Sequence, residues 1–169
     1  MKNLKKFVAL FLAGALAVLM LTACGGSGAG ETDAQKTQKV FNTVSGGKQA
    51  ATVSVNDKDL QKVAEKHLDE DLKASIDFFG AQLFGKVHVE GKQQQYLTIT
   101  VTAKYQYGPF LKAFLDAVQS EIGREFKDTG VNIKGDSSWT KLGVVVKTNG
   151  SRSYMAVAFQ IKNPNYKGK

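Results

Sequence analysis

The spacing of apolar residues along the chain predicts two amphipathic helices. In the first, apolar residues recur every three or four positions from Leu60 onward, and Asn56 or Asp57 precedes them as a helix cap. The second opens at Pro109, which suits the first helical position, and ends before Gly130. The residues at helical spacing are Leu60, Val63, Ala64, His67, Leu68, Leu72, Ile76, Phe79 and Leu83 in the first helix, and Leu111, Phe114, Leu115, Val118, Ile122 and Phe126 in the second.

Other parts of the chain alternate between apolar and polar residues, which is typical of half-buried strands. The alternation covers residues 50–55, 86–90 and 96–105, and residues 140–148 and 152–162, on either side of Asn149-Gly150, are predicted as two further strands. A three-residue loop beside Gly91 and a turn at Asn149-Gly150 predict two hairpins, the second with positive φ at both turn residues. The predicted partners are Val89 with Leu97, Val87 with Ile99, Thr148 with Ser151, and Val144 with Met155.

These elements predict an α+β fold with helix-hairpin-helix-hairpin order. Two helices are expected to pack on one face of an antiparallel sheet of four to five strands, because the alternating strands offer a single apolar face. The other face of the sheet is then expected to be open to solvent.

The beginning of the chain has the architecture of a signal peptide. Residues 1–6 carry three lysines, and residues 7–23 are an uninterrupted stretch of apolar and small side chains. The stretch ends in Leu21-Thr22-Ala23-Cys24, which resembles the lipobox of bacterial lipoproteins. The resemblance implies cleavage before Cys24 and attachment of lipid to its thiol. The alternative is an uncleaved transmembrane anchor, since the stretch is nearly long enough to cross a bilayer.

The chain is therefore predicted to have three parts. Residues 1–23 form the signal peptide, residues 24–39 a flexible tether that begins with a glycine-rich run, and residues 40–169 a single domain. Two acyl chains anchor a protein stably, whereas one gives only marginal binding. The mature protein is expected on the cell membrane, lipid-anchored and facing outside the cytoplasm.

The charge of the chain points to anionic partners. Lys and Arg number 23 against 15 Asp and Glu, a formal net charge of +8, and loss of the three leader lysines lowers it to +5. A basic domain outside the cell favours anionic membrane surfaces and wall polymers, and nucleic acid is not an expected partner there. The single cysteine excludes an intramolecular disulfide.

Basic and polar residues occupy the strand positions that point away from the predicted apolar face. We interpret them as an anion-binding face, while the alternative is that polar residues merely fill the solvent side of a one-sided sheet. The residues are Lys86, His88, Lys104, Lys141, Lys147, Arg152 and Tyr154.

Catalytic and metal motifs are weak in this sequence. His67 and Asp71 share a helical face, but two ligands do not make a metal site, and His67 is expected to pack its ring at the edge of the core. The acidic run 69–71 is expected to be a solvated face. We therefore predict no enzyme, no cofactor and no metal, with an enzyme whose site comes from distant residues as the alternative.

The segment 86–159 resembles a small domain of unknown function in lipoproteins of Gram-positive bacteria. The residues that carry the resemblance are Val87–Gly91, Leu111–Ala117 and Val144–Gly150, and it implies the fold and the anchoring but no catalytic residue. The leading hypothesis is a membrane-anchored surface lipoprotein with a non-catalytic domain that binds anionic polymer or lipid headgroups of the envelope. The alternative is a structural or assembly partner of another envelope protein. The oligomeric state is not determined by the sequence.

Overall fold

Helix α1, Asp33–Ser45, begins at a capping box. The N–H of Gln35 donates to the Thr32 hydroxyl, and the Gln35 side chain accepts from the N–H of Thr32. The helix therefore begins inside the segment that the sequence analysis assigned to the tether, residues 24–39. A computed structural model gives the structure of residues 30–77, 86–105, 116, 118–120 and 131–168.

Helix α2, Lys58–Asp77, follows the predicted cap. The Asp57 carboxylate accepts hydrogen bonds from the N–H groups of Asp59 and Leu60, each at 3.0 Å. A short 3₁₀ helix, Lys48–Ala50, lies between α1 and α2. Within the described residues, no helix has the length and apolarity that crossing a membrane requires.

The strand predicted at residues 50–55 is not formed. This segment makes turns and bends, and Asn56 forms only an isolated parallel bridge to Leu142. The Asn56 side chain takes over the pairing, because its Nδ2 donates to the carbonyl of Val144 and its Oδ1 accepts from the N–H of the same residue. The segment thus covers a sheet edge without adding a fifth strand.

The sheet contains four strands, all paired antiparallel in the order β1-β2-β4-β3. The observed bounds of β1 and β4 match the predicted ones, and β2 and β3 differ from theirs by one residue at one or both ends. The strands are β1, Lys86–Glu90; β2, Tyr96–Lys104; β3, Trp139–Asn149; and β4, Arg152–Lys162.

Both predicted hairpin registers are wrong by two residues. In the first hairpin, Val89 lies opposite Ile99, because Gly91 adopts a left-handed φ of 80° and its carbonyl closes a turn with the N–H of Gln94. This turn makes the connection longer than three residues. An even shift keeps every side chain on its predicted face of the sheet.

In the second hairpin, Asn149 pairs with Arg152, and Val144 therefore lies opposite Val157. Gly150 has a φ of 62°, while Asn149 and Ser151 do not have positive φ. Positive φ at the first loop residue alone is typical of a type II′ turn with glycine in that position. The loop is thus Gly150-Ser151 rather than Asn149-Gly150.

The two helices α1 and α2 lie on opposite faces of the sheet. Val40, Phe41 and Val44 of α1 belong to the larger core, in which the rings of Trp139 and Phe159 stack at 3.8 Å. On the other face, Leu60, Ala64 and Leu68 of α2 pack against Tyr154, Ala156 and Ala158 of β4. The sequence predicts that α2 and the helix at residues 109–129 share one face, but α2 lies on the face opposite to Val118 of that second helix.

The predicted second helix lies mostly outside the described residues. Residues 116 and 118–120 are helical, and Val118 is fully buried in the larger core on the α1 side of the sheet. The large apolar side chains of the strands thus face α1 and Val118.

Small residues on the α2 face allow a helix to approach the sheet closely. A Cβ atom at Gly143 would lie 2.5 Å from the carbonyl carbon of Leu60, far inside van der Waals contact. Ala156 and Ala158 on the neighbouring strand are both fully buried beneath α2. This face is therefore a second, smaller core and not a solvent-exposed surface.

The edge strand β3 has its outer backbone groups occupied. The N–H of Val146 donates to the hydroxyl of Thr37, and the N–H of Thr148 donates to the carboxylate of Asp33. Together with Asn56, these side chains engage the groups through which an exposed edge would pair with another chain. The segment 33–57 thus protects the edge of the sheet that β3 forms.

Candidate functional site

The seven residues predicted to form an anion-binding face do lie on one face of the sheet, but α2 covers much of that face. Tyr154 is only 9% exposed, since it packs against α2 in the smaller core. The prediction of an open face fails because Gly143 and the alanines of β4 leave room for a helix.

Most of the predicted basic residues are paired with carboxylates of α2 or its cap. Lys86 Nζ lies 3.1 Å from Asp71 Oδ1, and Lys141 Nζ lies 3.4 Å from Asp57 Oδ2. Lys147 Nζ lies 2.8 Å from a carboxylate oxygen of both Asp69 and Glu65, one turn apart on α2. These pairs bind α2 to the sheet, so these lysines are not free to bind an external anion.

The pKa of Lys147 shows how strongly α2 engages this side chain. Partial burial by itself acts to lower the pKa of the Lys147 ammonium, but its hydrogen bonds to Asp69 and Glu65 outweigh that effect and raise the pKa above its ordinary value of 10.5. Lys147 therefore stays charged in this environment.

Lys104 and Arg152 lie at the end of the sheet near the β3–β4 turn. Lys104 is half-buried opposite Tyr154, and Arg152 is exposed beside the turn. Arg152 makes no ion pair with any carboxylate in the part of the chain that the structure describes.

Two stacked histidines and the carboxylates that contact them form a cluster of ionisable residues beside α2. The ring centroids of His67 and His88 are 4.1 Å apart, with 15° between the planes. His67 Nδ1 lies 3.2 Å from Glu70, and His67 Nε2 lies 3.1 Å from Glu90. His88 Nε2 lies 2.9 Å from Asp71 Oδ2. This histidine cluster joins α2 to β1.

Asp71 lies at the centre of the histidine cluster and is 5% exposed. Burial acts to raise the pKa of its carboxyl, but the hydrogen bonds that it accepts, led by the one from Thr102, outweigh burial and hold the pKa below the ordinary 3.8. The Thr102 hydroxyl donates to Oδ2 at 2.5 Å, and Lys86 binds Oδ1. Both carboxylate oxygens are engaged, so Asp71 acts as a structural acceptor between helix and sheet.

The acidic run 69–71 is solvated only in part, since the side chains of Asp69 and Glu70 are 44% and 53% exposed and Asp71 is buried. Asp69 and Asp71 point to opposite flanks of α2 and bind the sheet, and Glu70 contacts His67. The signal for these contacts was present as i,i+4 pairs on one helix, Glu65 with Asp69 and His67 with Asp71. Among the described residues, no group of three or more His, Cys, Asp and Glu side chains has a geometry that fits a metal ion.

A groove of about 410 Å³ lies between α1, α2 and β3. Its charged lining residues include Lys62, which binds Asp59, and Glu65, which binds Lys147. The third charged lining residue, Lys58, has no ion-pair partner among the described residues. The ionisable groups of the lining are thus two lysines and one carboxylate.

The other end of the sheet carries a different surface, which sequence reasoning missed. Tyr96 at the start of β2 and Tyr166 in the C-terminal tail are 38% and 45% exposed. Tyr96 lies opposite Lys162 in the sheet, and Lys167 follows Tyr166. Neither lysine has an ion-pair partner within the described ranges. We call Tyr96, Lys162, Tyr166 and Lys167 the tyrosine-lysine end.

Buried Asn163 orders the backbone of the tyrosine-lysine end. Its Nδ2 donates to the carbonyls of Lys92 and Gln94, at 3.0 and 2.8 Å, and its N–H donates to the carbonyl of Gln95. Its Oδ1 accepts from the N–H of Asn165. One asparagine therefore joins the β1–β2 loop to the C-terminal tail.

Comparison of the chain with protein-family models, with curated proteins and with solved structures gave no match. The functional argument therefore depends on the residues and the geometry given above. Cys24 and its flank Leu21-Thr22-Ala23 lie outside the described residues.

Proposed function

We propose that this chain is a lipoprotein, anchored to the outer side of the cell membrane through Cys24, whose domain binds anionic components of the envelope without catalysis. The leader and its Leu21-Thr22-Ala23-Cys24 ending support the anchoring part of the proposal. The distribution of charge over the domain supports the binding part.

The observation that carries the binding proposal is the separation of charge between helix and strands. Residues 137–169 contain six basic residues and no Asp or Glu. The acidic residues of α2 and its cap neutralise only Lys141 and Lys147 of this set. Arg152, Lys162 and Lys167 remain without a carboxylate partner among the described residues. The strands thus keep a positive surface beyond the area that α2 covers.

The tether limits where this surface operates. Eight residue steps separate Cys24 from Thr32, where the compact unit begins. At about 3.5 Å per residue, they span at most roughly 28 Å. A lipid on Cys24 would therefore hold the domain close to the membrane and to the polymers attached there, which raises their effective concentration.

The test is salt-dependent binding by the full-length lipidated protein in zwitterionic nanodiscs. We expect it to retain a soluble polyglycerol phosphate at low salt and to release it at moderate salt, because screening weakens attraction between exposed charges. A neutral dextran of similar length is the control. Absence of binding to the anionic polymer, or binding that salt does not weaken, would contradict the proposal and favour assembly with another envelope protein.

A further inference from the structure

We infer that the tyrosine-lysine end, Tyr96, Lys162, Tyr166 and Lys167, is the binding site for an anionic glycopolymer, one that carries phosphate groups and sugar rings. This inference deepens the function proposed above and rests on it. It assigns the phosphates to the lysines and the sugar rings to the tyrosines.

The position of this surface in the fold separates it from the tether. The tether joins α1, and the first residue of α1, Asp33, binds Thr148 beside the β3–β4 turn. The tyrosine-lysine end lies at the opposite end of β4, the strand Arg152–Lys162. At about 3.3 Å per residue, the ten steps of β4 extend roughly 33 Å.

The chemistry of this surface, and not its distance from the tether, favours a polymer as the partner. Exposed tyrosine rings suit sugar rings, which a bare phosphate headgroup lacks.

The charges of this surface match a polyanion. Lys162 and Lys167 are exposed, and neither has a carboxylate partner in the described part of the chain. The sequence around them contains no Asp or Glu, either in residues 91–115 or in residues 137–169. Each exposed lysine thus offers an ammonium group whose charge is not neutralised locally, which suits contact with phosphate.

The two exposed tyrosines suit the sugar rings of the polymer. Only three large apolar side chains of the described residues are exposed, and two of them, Tyr96 and Tyr166, flank Asn163. Tyrosine offers a flat apolar ring together with a polar hydroxyl, a combination that favours contact with ligands that are partly apolar and partly hydrated. A sugar ring has such a character, whereas a bare phosphate does not. Each tyrosine adjoins a lysine, opposite it in the sheet or next to it in the chain.

The ordered backbone makes this arrangement a site and not a free tail. Asn163 is only 3% exposed and makes the hydrogen bonds that fix the β1–β2 loop against the tail. The N–H of Tyr166 in turn donates to the carbonyl of Asn163. A surface that is ordered before binding loses less conformational entropy when the ligand binds.

The experiment compares three double variants of the full-length protein in zwitterionic nanodiscs. Lys162→Ala with Lys167→Ala removes the phosphate contacts, and Tyr96→Ala with Tyr166→Ala removes the sugar contacts. Lys58→Ala with Lys73→Ala is the matched control, because these two α2 lysines also have no ion-pair partner among the described residues. The probes are polyglycerol phosphate with glucosyl substituents, the same polymer without them, and anionic phosphatidylglycerol vesicles.

We expect the Lys162/Lys167 variant to bind both polymers roughly 30-fold more weakly at low salt. Each basic group near a polyanion raises the binding constant roughly fivefold, and the two factors multiply. The Tyr96/Tyr166 variant should lose affinity for the glucosylated polymer and keep its affinity for the bare one. The Lys58/Lys73 control should bind both polymers nearly as well as the wild type. Unchanged unfolding temperatures would show that each variant is folded.

The outcomes test the site assignment and the proposed function separately. If the wild type binds the polymer and the Lys162/Lys167 variant binds equally well, the site assignment is wrong and the proposed function stands. An equal loss in the Lys58/Lys73 control would also overturn the assignment, because net charge alone would explain binding. If the variant loses only binding to anionic vesicles, the partner is the membrane and the inference is wrong. If the wild type binds no polymer, the proposed function fails, and this inference with it.

Discussion

The packing of α2 against the sheet makes a sharp prediction for the substitution Gly143→Ala. A Cβ atom at this position would lie 2.5 Å from the carbonyl carbon and from the Cβ of Leu60, and 2.6 Å from the nitrogen of Gln61. These are mostly backbone atoms of a helix, which cannot rotate away as a flexible side chain would. Helix α2 must therefore move outward to accommodate a single methyl group.

Whether Gly143→Ala lowers or raises the free energy of unfolding depends on whether α2 covers this face of the sheet. Overpacking of a close contact costs about 1–3 kcal/mol of the free energy of unfolding. On a strand face open to solvent, alanine would instead be about 0.5–1 kcal/mol more favourable than glycine, because glycine loses more conformational freedom on folding. For a domain of this size, each kcal/mol corresponds to roughly 3–5 °C in Tm. We therefore expect Gly143→Ala to lower Tm by about 3–15 °C.

For the full-length protein, equilibrium urea unfolding gives the free energy of unfolding and thermal unfolding gives Tm, each followed by far-UV circular dichroism and by tryptophan fluorescence. Trp139 is the single tryptophan of the chain and is fully buried in the larger core, so it reports on a different part of the fold from α2. Agreement of the two signals would support a two-state transition.

The matched control for this experiment is Gly135→Ala. A Cβ at Gly135 would meet its nearest neighbour, Asn132 Nδ2, at 3.5 Å, an ordinary contact, and we expect a change within about 0.5 kcal/mol. A Gly143→Ala protein as stable as the wild type, or more stable, would refute the packing of α2 on β3.

Three further predictions concern the anchor, a turn and the histidine cluster. Cys24→Ala should abolish lipid attachment, because the chain has no other thiol, and a lipidated species in the intact mass of the variant would contradict the anchor. Gly150→Val should cost about 1–3 kcal/mol in thermal unfolding, since a φ of 62° strains a β-branched residue, whereas Gly150→Asn should cost less. Asp71 has a folded-state pKa below 3.8, so its stabilising contribution is present above pH 3.8 and is lost as the pH falls through the lowered value. In Asp71→Asn this loss should be absent, so the free energy of unfolding should fall less steeply at acidic pH than in the wild type. The same fall in both proteins would contradict the role of Asp71.

The sequence predicts the local elements of this fold well, because their signals are local. The Asp57 cap marks the start of α2, the alternating pattern gives the bounds of β1, and the Asn149-Gly150 turn marks the start of β4. The hairpin registers were harder to predict, because a shift of two residues keeps every side chain on the same face of the sheet and leaves the apolar pattern unchanged. Only the backbone conformation at Gly91 and Gly150 selects between such registers.

The side of the sheet on which α2 packs could not be predicted from its apolar stripe, because the stripe shows that the helix packs but not on which face. The sequence nevertheless held a signal in β4. Residues 154–159 are all buried, without polar alternation, as expected for a strand covered on both faces. Its alanines and Gly143 mark the face where a helix approaches closely, and large side chains mark the face that holds the main core.

The same reasoning changes what the basic composition of this chain means. The lysines of the strands were predicted on the correct face, but three of the four hold an acidic helix or its cap. Lys86 meets Asp71, Lys141 meets Asp57, and Lys147 meets Glu65 and Asp69. A basic strand face is thus ambiguous until the carboxylates that oppose it are located. What distinguishes a binding surface is a set of cations that the fold itself does not neutralise. Among the described residues of the strands and the C-terminal tail, Arg152, Lys162 and Lys167 meet that criterion, and the last two, at the far end of the sheet, form the proposed anion site.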